Sequence, residues 1–143
     1  ASFMGKLRAK TGQAFDLPTE AQWEYAARAG ATGPYAGTGV LGEMGWYNSN
    51  SGGQTHPSGR TAPNAWGLCD MHGNAWEWCL DWYGAYSGTV SDPRGAPSGS
   101  ARVIRGGSWG DLDWRCRLAF RGNCAPGGGL NIIGFRIVLP AGQ

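Results

Sequence analysis

The side chains able to do covalent or metal chemistry in this sequence are four cysteines, two histidines and a scatter of acids. Cys69, Cys79, Cys116 and Cys124 are separated by 9, 36 and 7 residues. None forms a Cys-x-x-Cys pair, and His56 and His72 complete no zinc pattern with them, so a zinc site is not expected and the four leave room for one disulfide. The serines, histidines and aspartates lack a G-x-S-x-G setting for a nucleophile. Glu77 and Asp81 lie four apart on a stretch that reads as a strand and so share a face, where pairing with arginine is the commoner use of such acids.

The 143 residues suit one domain, taken here as residues 1–143. Gly 26 and Pro 8 total 34 residues, close to a low-complexity composition, but eight Trp, five Tyr and four Phe argue for a folded, loop-rich chain pinned by aromatic side chains. The net charge of +2 demands no partner. Six arginines fall between Arg102 and Arg136 with no lysine among them. In a Gly-rich aromatic fold these pair with acids and stack on rings, which argues against a nucleic-acid partner. No apolar run of about 18 residues could span a membrane, and no secretory leader is read at the start.

These groups must be positioned by short elements. Phe3 and Leu7 at i, i+4 predict a short helix ending at Thr11–Gly12. LPTEAQWEYAARAG predicts a second. Thr19 and Gln22 form a capping box, Gly30 supplies a left-handed stop, Trp23, Ala26 and Ala27 share a face, and Glu20 and Glu24 suit the positive N-terminal end. Residues 30–65 read as irregular structure anchored by Trp46 and Tyr47. Trp76, Trp78, Leu80 and Trp82 alternate with Glu77, Cys79, Asp81 and Tyr83, the period of a strand. Further strands are expected at 102–105, 115–121 and 134–139. Helices followed by strands and long loops make an α+β fold, and no internal repeat is present.

Four stretches, LPTEAQWEYAARAG, NAWGLCDMHGNAWEWCLDWYG, RVIRGGSW and IGFRIVLP, resemble in order the motifs of the formylglycine-generating-enzyme-like (sulfatase-modifying factor) family, from about residue 3 to residue 139. That resemblance implies a variant of the C-type lectin fold, with two helices, short antiparallel strands and long loops. It also implies an enzymatic alternative, in which a Cys-x4-Cys pair soon after GGS binds copper and oxidises a substrate cysteine with oxygen. Here Asp111 falls near the first position and no Cys-x4-Cys pair exists, so catalysis is not expected. A related branch uses iron and a histidine cluster, for which His56 and His72 are a poor basis. No cofactor is expected. In some relatives a segment like GNAWE binds calcium, which Asn74 and Glu77 could do here, the alternative for Asn74 being a capping role.

RGGSW, a CR-x-A-x-R segment, a Gly/Asn-rich patch and a terminal IGFR also resemble the variable proteins of diversity-generating retroelements, whose reverse transcriptase miscopies template adenines, often within AAC codons. The resemblance implies a variable region within 105–136 and a ligand-binding surface of Asp111, Leu112, Asp113, Arg115, Leu118, Phe120, Gly122, Asn123, Cys124, Leu130, Asn131 and Ile132. All are residues that such codons can reach. Trp114 lies among them as an anchor. In this reading Arg117 and Arg121 are held by scaffold acids and carbonyls while Leu118 and Phe120 face outward, the inverse of ordinary burial. Cys79 and Cys116 become scaffold neighbours, as a disulfide or as packed thiols, and Cys124 is free. The implied function is non-catalytic binding of a protein ligand on a cell or phage surface by a surface-displayed or virion-associated protein. A structural domain of a larger protein is the remaining alternative.

Overall fold

Helix formation begins where side chains replace missing backbone partners. The computed structural model describes residues 2–86 and 88–139. In α1, Phe3–Thr11, the Ser2 hydroxyl accepts the Gly5 N–H at 3.2 Å, and Gly12 ends the helix at φ 70. No residue of α1 is buried. Helix α2, Glu20–Arg28, has the full capping box: Gln22 N–H donates to Thr19 Oγ1 at 3.2 Å and Thr19 N–H to Gln22 Oε1 at 2.9 Å. The left-handed stop falls one residue earlier than expected, at Ala29 (φ 45), with Gly30 continuing at φ 89. Beyond it, Asn64 Nδ2 donates to the carbonyls of Ala26 and Ala27 at 2.8 and 3.1 Å, satisfying acceptors that the helix leaves open.

The irregular stretch after α2 contains a single turn of helix, α3 (Leu41–Met44), and strand β1 (Gly45–Trp46), which pairs in parallel with β2 (His72–Gly73). This crossing requires glycine. A Cβ on Gly45 would lie 1.6 Å from the His72 carbonyl oxygen, and one on Gly73 2.0 Å from that of Trp46.

The main sheet has the order β5–β4–β3–β6, formed by Arg121–Cys124, Arg102–Arg105, Trp76–Trp82 and Ile133–Gly134. The first two pairings are antiparallel and β3–β6 is parallel, with a register irregularity between Trp78 and Trp82. The expected strand over 134–139 is thus shorter, and the chain beyond it is held by one antiparallel bridge, Val138 to Asp16. The alternation along β3 starts after Trp76, which is buried: beyond it Glu77, Cys79 and Asp81 are buried, while Trp78, Leu80 and Trp82 are half-buried. The core gathers Trp23, Ala27, Ala36, Met44, Met71, Cys79, Val103 and Leu118.

The strand expected over 115–121 is a correction. Asp113–Cys116 forms a 3-10 turn, η1, and only from Arg121 does the chain join β5. Burial still alternates, with Cys116 and Leu118 inside and Arg117 and Ala119 outside. The backbone, however, bonds to a loop: Leu118 N–H donates to the Pro34 carbonyl at 2.9 Å. All four cysteines are free thiols, so the disulfide alternative for Cys79 and Cys116 gives way to two buried thiols.

His72 ties three of these segments together. It is fully buried; as the Nδ1–H tautomer it donates to the Cys116 carbonyl at 2.8 Å, and its Nε2 accepts the Ala36 N–H at 3.1 Å. Burial holds its pKa below the ordinary imidazole value, against a smaller upward pull from the Cys116 carbonyl. The ring is therefore neutral when folded, whereas the unfolded chain protonates it near its ordinary pKa of about 6.5. Its contribution is complete above that pH and is lost as the pH falls below it, by at most about 1.4 kcal/mol per pH unit. Denaturant unfolding between about pH 7 and pH 5 is expected to show a steeper loss for the wild type than for His72→Gln. Parallel slopes would contradict this role.

Candidate functional site

The residues singled out in the sequence lie on and beside η1, on β5 at one edge of the main sheet and in the turn before β6 at the other edge. Leu112, Trp114 and Leu130 are 55%, 40% and 53% exposed. Asp113, Arg115, Asn123 and Asn131 are exposed beside them in the chain. Trp114 is held in place: its ring meets Phe120 edge-on at 5.2 Å, and the Arg115 guanidinium lies 5.0 Å from its centroid. Phe120 is half-buried and tilts against Trp76 at 5.9 Å, joining the surface indole to a buried one. Phe120 thus reaches the face only in part, and Gly122, Cys124 and Ile132 are likewise half-buried.

Two of the expected surface residues lie inside. Leu118 is fully buried in the core cluster, which corrects its assignment to the ligand face. The ordinary burial rule prevails there because the loop at Pro34 and Ala36 closes over it. Asp111 is also buried. Its Oδ2 accepts Trp76 Nε1 at 2.8 Å, Ser108 N at 3.0 Å and Ser108 Oγ at 2.5 Å, while its Oδ1 accepts Arg115 Nη1 at 3.0 Å. It is a brace beneath the face. Gly122 has little freedom to vary, since a Cβ there would lie 2.8 Å from Ile104 Cγ1 and 3.1 Å from the Trp76 ring.

The arginines are used as ion-pair and stacking partners. Arg121 Nε and Nη2 donate to Glu20 at 2.6 and 2.7 Å, and its guanidinium packs 4.1 Å from the Tyr86 ring. Arg136 binds both oxygens of Glu77 at 2.5 and 2.7 Å, and Arg102 stacks 3.5 Å over Trp82. Arg117 departs from the expected pattern: it is exposed and held by the Trp114 carbonyl at 2.9 Å, without an acid. Sequence reasoning treated Glu20 and Glu24 as helix-dipole partners and missed their larger use as receivers of Arg105 and Arg121. The signal was available, because residues 20, 23, 24 and 27 form one helical stripe.

The chemistry of the donor set does not suit copper. At the positions where a Cys-x4-Cys pair would stand, Asp111 is consumed by four hydrogen bonds and only Cys116 offers sulfur. Burial, aided by Asp111 and Asp113, pushes the Cys116 thiol up to about 12, far from the thiolate that binds soft metals. The Cys79 thiol is pushed up as well, again mainly by burial. Asn74 spends both amide atoms on His56, accepting its N–H at 2.9 Å and donating to its carbonyl at 3.1 Å, and both Glu77 oxygens serve Arg136. Among the described residues no group of three or more His, Cys, Asp or Glu could hold a metal ion, and no helix is long and apolar enough to cross a membrane.

Residues 1–141 match the sulfatase-modifying factor enzyme 1-like domain. The chain belongs to this family. It is 41% identical over 142 residues to the formylglycine-generating enzyme of Streptomyces coelicolor, covering 84% of this chain and 45% of that one. Among solved structures it is similar to Treponema denticola variable protein 1, with TM-score 0.83 and 41% identity over 87% of this chain and 47% of that one. It is also similar to PvdO from Pseudomonas aeruginosa, with TM-score 0.85 and 34% identity over 94% and 56%. The chain therefore spans about half the length of these relatives. Its fold is the α+β, C-type lectin fold of formylglycine-generating-enzyme-like proteins.

The contrast between brace and face has a measurable consequence. Asp111→Ala strips acceptors from buried Trp76 and Ser108 donors and is expected to cost about 2–4 kcal/mol in denaturant unfolding. Leu112→Ala and Asn123→Ala should stay within about 0.5 kcal/mol of wild type. Equal costs at the three positions would mean that the face is part of the frame.

Proposed function

We propose that the protein is a non-catalytic ligand-binding module whose C-terminal face is diversified by a retroelement. The varied contacts are Leu112, Asp113, Asn123, Leu130 and Asn131, set around the anchor Trp114 and around Arg115, which is tied to Asp111, with Phe120, Cys124 and Ile132 at their margin. The observation that carries the reading is the exposed set Leu112, Trp114 and Leu130 above a frame in which Glu20 and Glu77 are paired with Arg121 and Arg136. The similarity to Treponema denticola variable protein 1 supports it. The absence of a second sulfur ligand near Cys116 favours binding over oxidation.

Binding of this kind works by complementarity. Trp114, buttressed by Phe120, supplies a rigid aromatic anchor, and the surrounding Asp, Asn and Arg side chains set specificity. A frame that is already ordered limits the entropy lost on association. The partner is a protein displayed on a cell or phage surface, the module itself is surface-displayed or virion-associated, and neither a cofactor nor a nucleic acid takes part.

The genomic locus tests the origin of the face. A reverse-transcriptase gene is expected nearby, with a near-repeat of the 3′ coding end differing at adenines in codons for the exposed positions. A locus without either would remove the retroelement from the account. Once a ligand is captured, Trp114→Ala is expected to weaken binding by about 2 kcal/mol or more, roughly 30-fold, in calorimetric titration. An affinity unchanged by Trp114→Ala would place the contact elsewhere.

A further inference from the structure

The main sheet ends differently at its two edges. At one, β6 is two residues long, and the chain beyond it is tied back where Val138 and Asp16 exchange main-chain hydrogen bonds at 2.8 and 2.9 Å. At the other lies β5. Its four residues pair with β4 in unbroken register, Arg121 with Arg105, Gly122 with Ile104, Asn123 with Val103 and Cys124 with Arg102. In an antiparallel ladder alternate residues turn their N–H and C=O groups toward the neighbouring strand, so two of the four turn theirs away from β4. Among the described residues, no main-chain hydrogen bond outside the β4 ladder involves residues 121–124. The chain leaves β5 by a turn closed between Gly128 N–H and the Ala125 carbonyl at 2.8 Å and forms no ladder with it.

Natural sheets blunt an open edge with a proline, a bulge or an outward charge. The sequence of β5, RGNC, supplies none of these. Its register is regular, and its one charged side chain is turned to Glu20, to which Arg121 donates at 2.6 and 2.7 Å. Four residues are enough for a ladder, since β4 pairs with β5 over that same length. The partner that matches alternating main-chain donors and acceptors is another extended main chain. The edge is also continuous with the residues of the ligand face. Phe120, which precedes β5, meets the Trp114 ring at 5.2 Å, and Asn123 on β5 is exposed. Main-chain pairing is indifferent to side-chain identity, so it persists when the side chains around it change.

We propose that the protein ligand adds an extended segment to the outer edge of β5, as a fifth strand of the main sheet, and that this pairing is the constant part of a contact whose side chains vary. The proposal rests on the reading of the C-terminal region as a ligand-binding face.

The test selects displayed random peptides of about eight residues, the length of an extended strand, against the intact protein. The tightest binder is then made synthetically and followed by amide hydrogen exchange of the isotope-labelled protein. Amides among residues 121–124 that exchange freely in the unbound protein are expected to slow by about tenfold or more on binding. Main-chain N-methylation along the peptide should weaken it by about tenfold at alternate residues and little at those between. A binder that shifts Leu112 and Trp114 without protecting 121–124, or whose N-methylation shows no alternation, would overturn strand addition and leave the face standing. A binder that touches neither, or a library without binders, would count against both. A protein that sediments as a dimer with 121–124 already protected would assign the edge to a second copy and overturn the proposal.

Discussion

The Arg105 guanidinium has no exposure to solvent, and the arrangement of the molecule depends on how its charge is met. Its Nη2 binds Glu24, its Nη1 binds the Phe120 carbonyl, and its Nε lies 3.3 Å from Glu20 Oε1, close enough to pair charges but off the hydrogen-bond direction. An isolated buried ion would cost several kcal/mol, so α2 must present its two glutamates to the sheet at one height and one rotation. Trp23 between them fixes that rotation through its Nε1 bond to Glu77 at 2.6 Å. The same guanidinium holds the carbonyl of Phe120, the residue that buttresses Trp114. One side chain of β4 thereby links helix, sheet and outer face.

This coupling explains the mixed texture of residues 105–136. Positions that serve the charge network or the core are committed: Arg105, Asp111 and Arg121 by their side-chain partners, and Cys116 and Leu118 by complete burial. Leu112, Trp114, Asn123, Leu130 and Asn131 rest on that frame with their side chains outward. A surface of this kind can change composition without disturbing the ion pairs beneath it, which is the property that a diversified binding face needs.

What could be read from the chain alone follows the range of the interactions involved. The capping box of Thr19 and Gln22 closes within four residues, and the strands at Trp76–Trp82 and Arg102–Arg105 declare themselves by local period. The inward turn of Leu118 does not, because it is fixed by the Pro34 carbonyl far back in the chain, in a loop without periodicity. The alternation CRLAFR therefore suggested a strand where the backbone leaves a 3-10 turn at Cys116 and bends and turns before joining β5 at Arg121. Asp111 was grouped with the surface for a related reason. Its four donors come from Trp76, Ser108 and Arg115, and only their convergence in space makes it a brace. The paired state of the arginines was legible as a tendency, but the choice of Glu20 for Arg121 required the sheet.

The central claim is that a tolerant face is carried by an intolerant frame. Saturation mutagenesis of residues 105–136, read by resistance of the displayed protein to protease, tests it most directly. Leu112, Asp113, Trp114, Asn123, Leu130 and Asn131 are expected to accept nearly all residue types, while Arg105, Asp111, Cys116, Leu118 and Gly122 accept almost none. Uniform intolerance across the segment, or tolerance at Arg105 and Leu118 with intolerance at Leu112 and Asn123, would contradict the account.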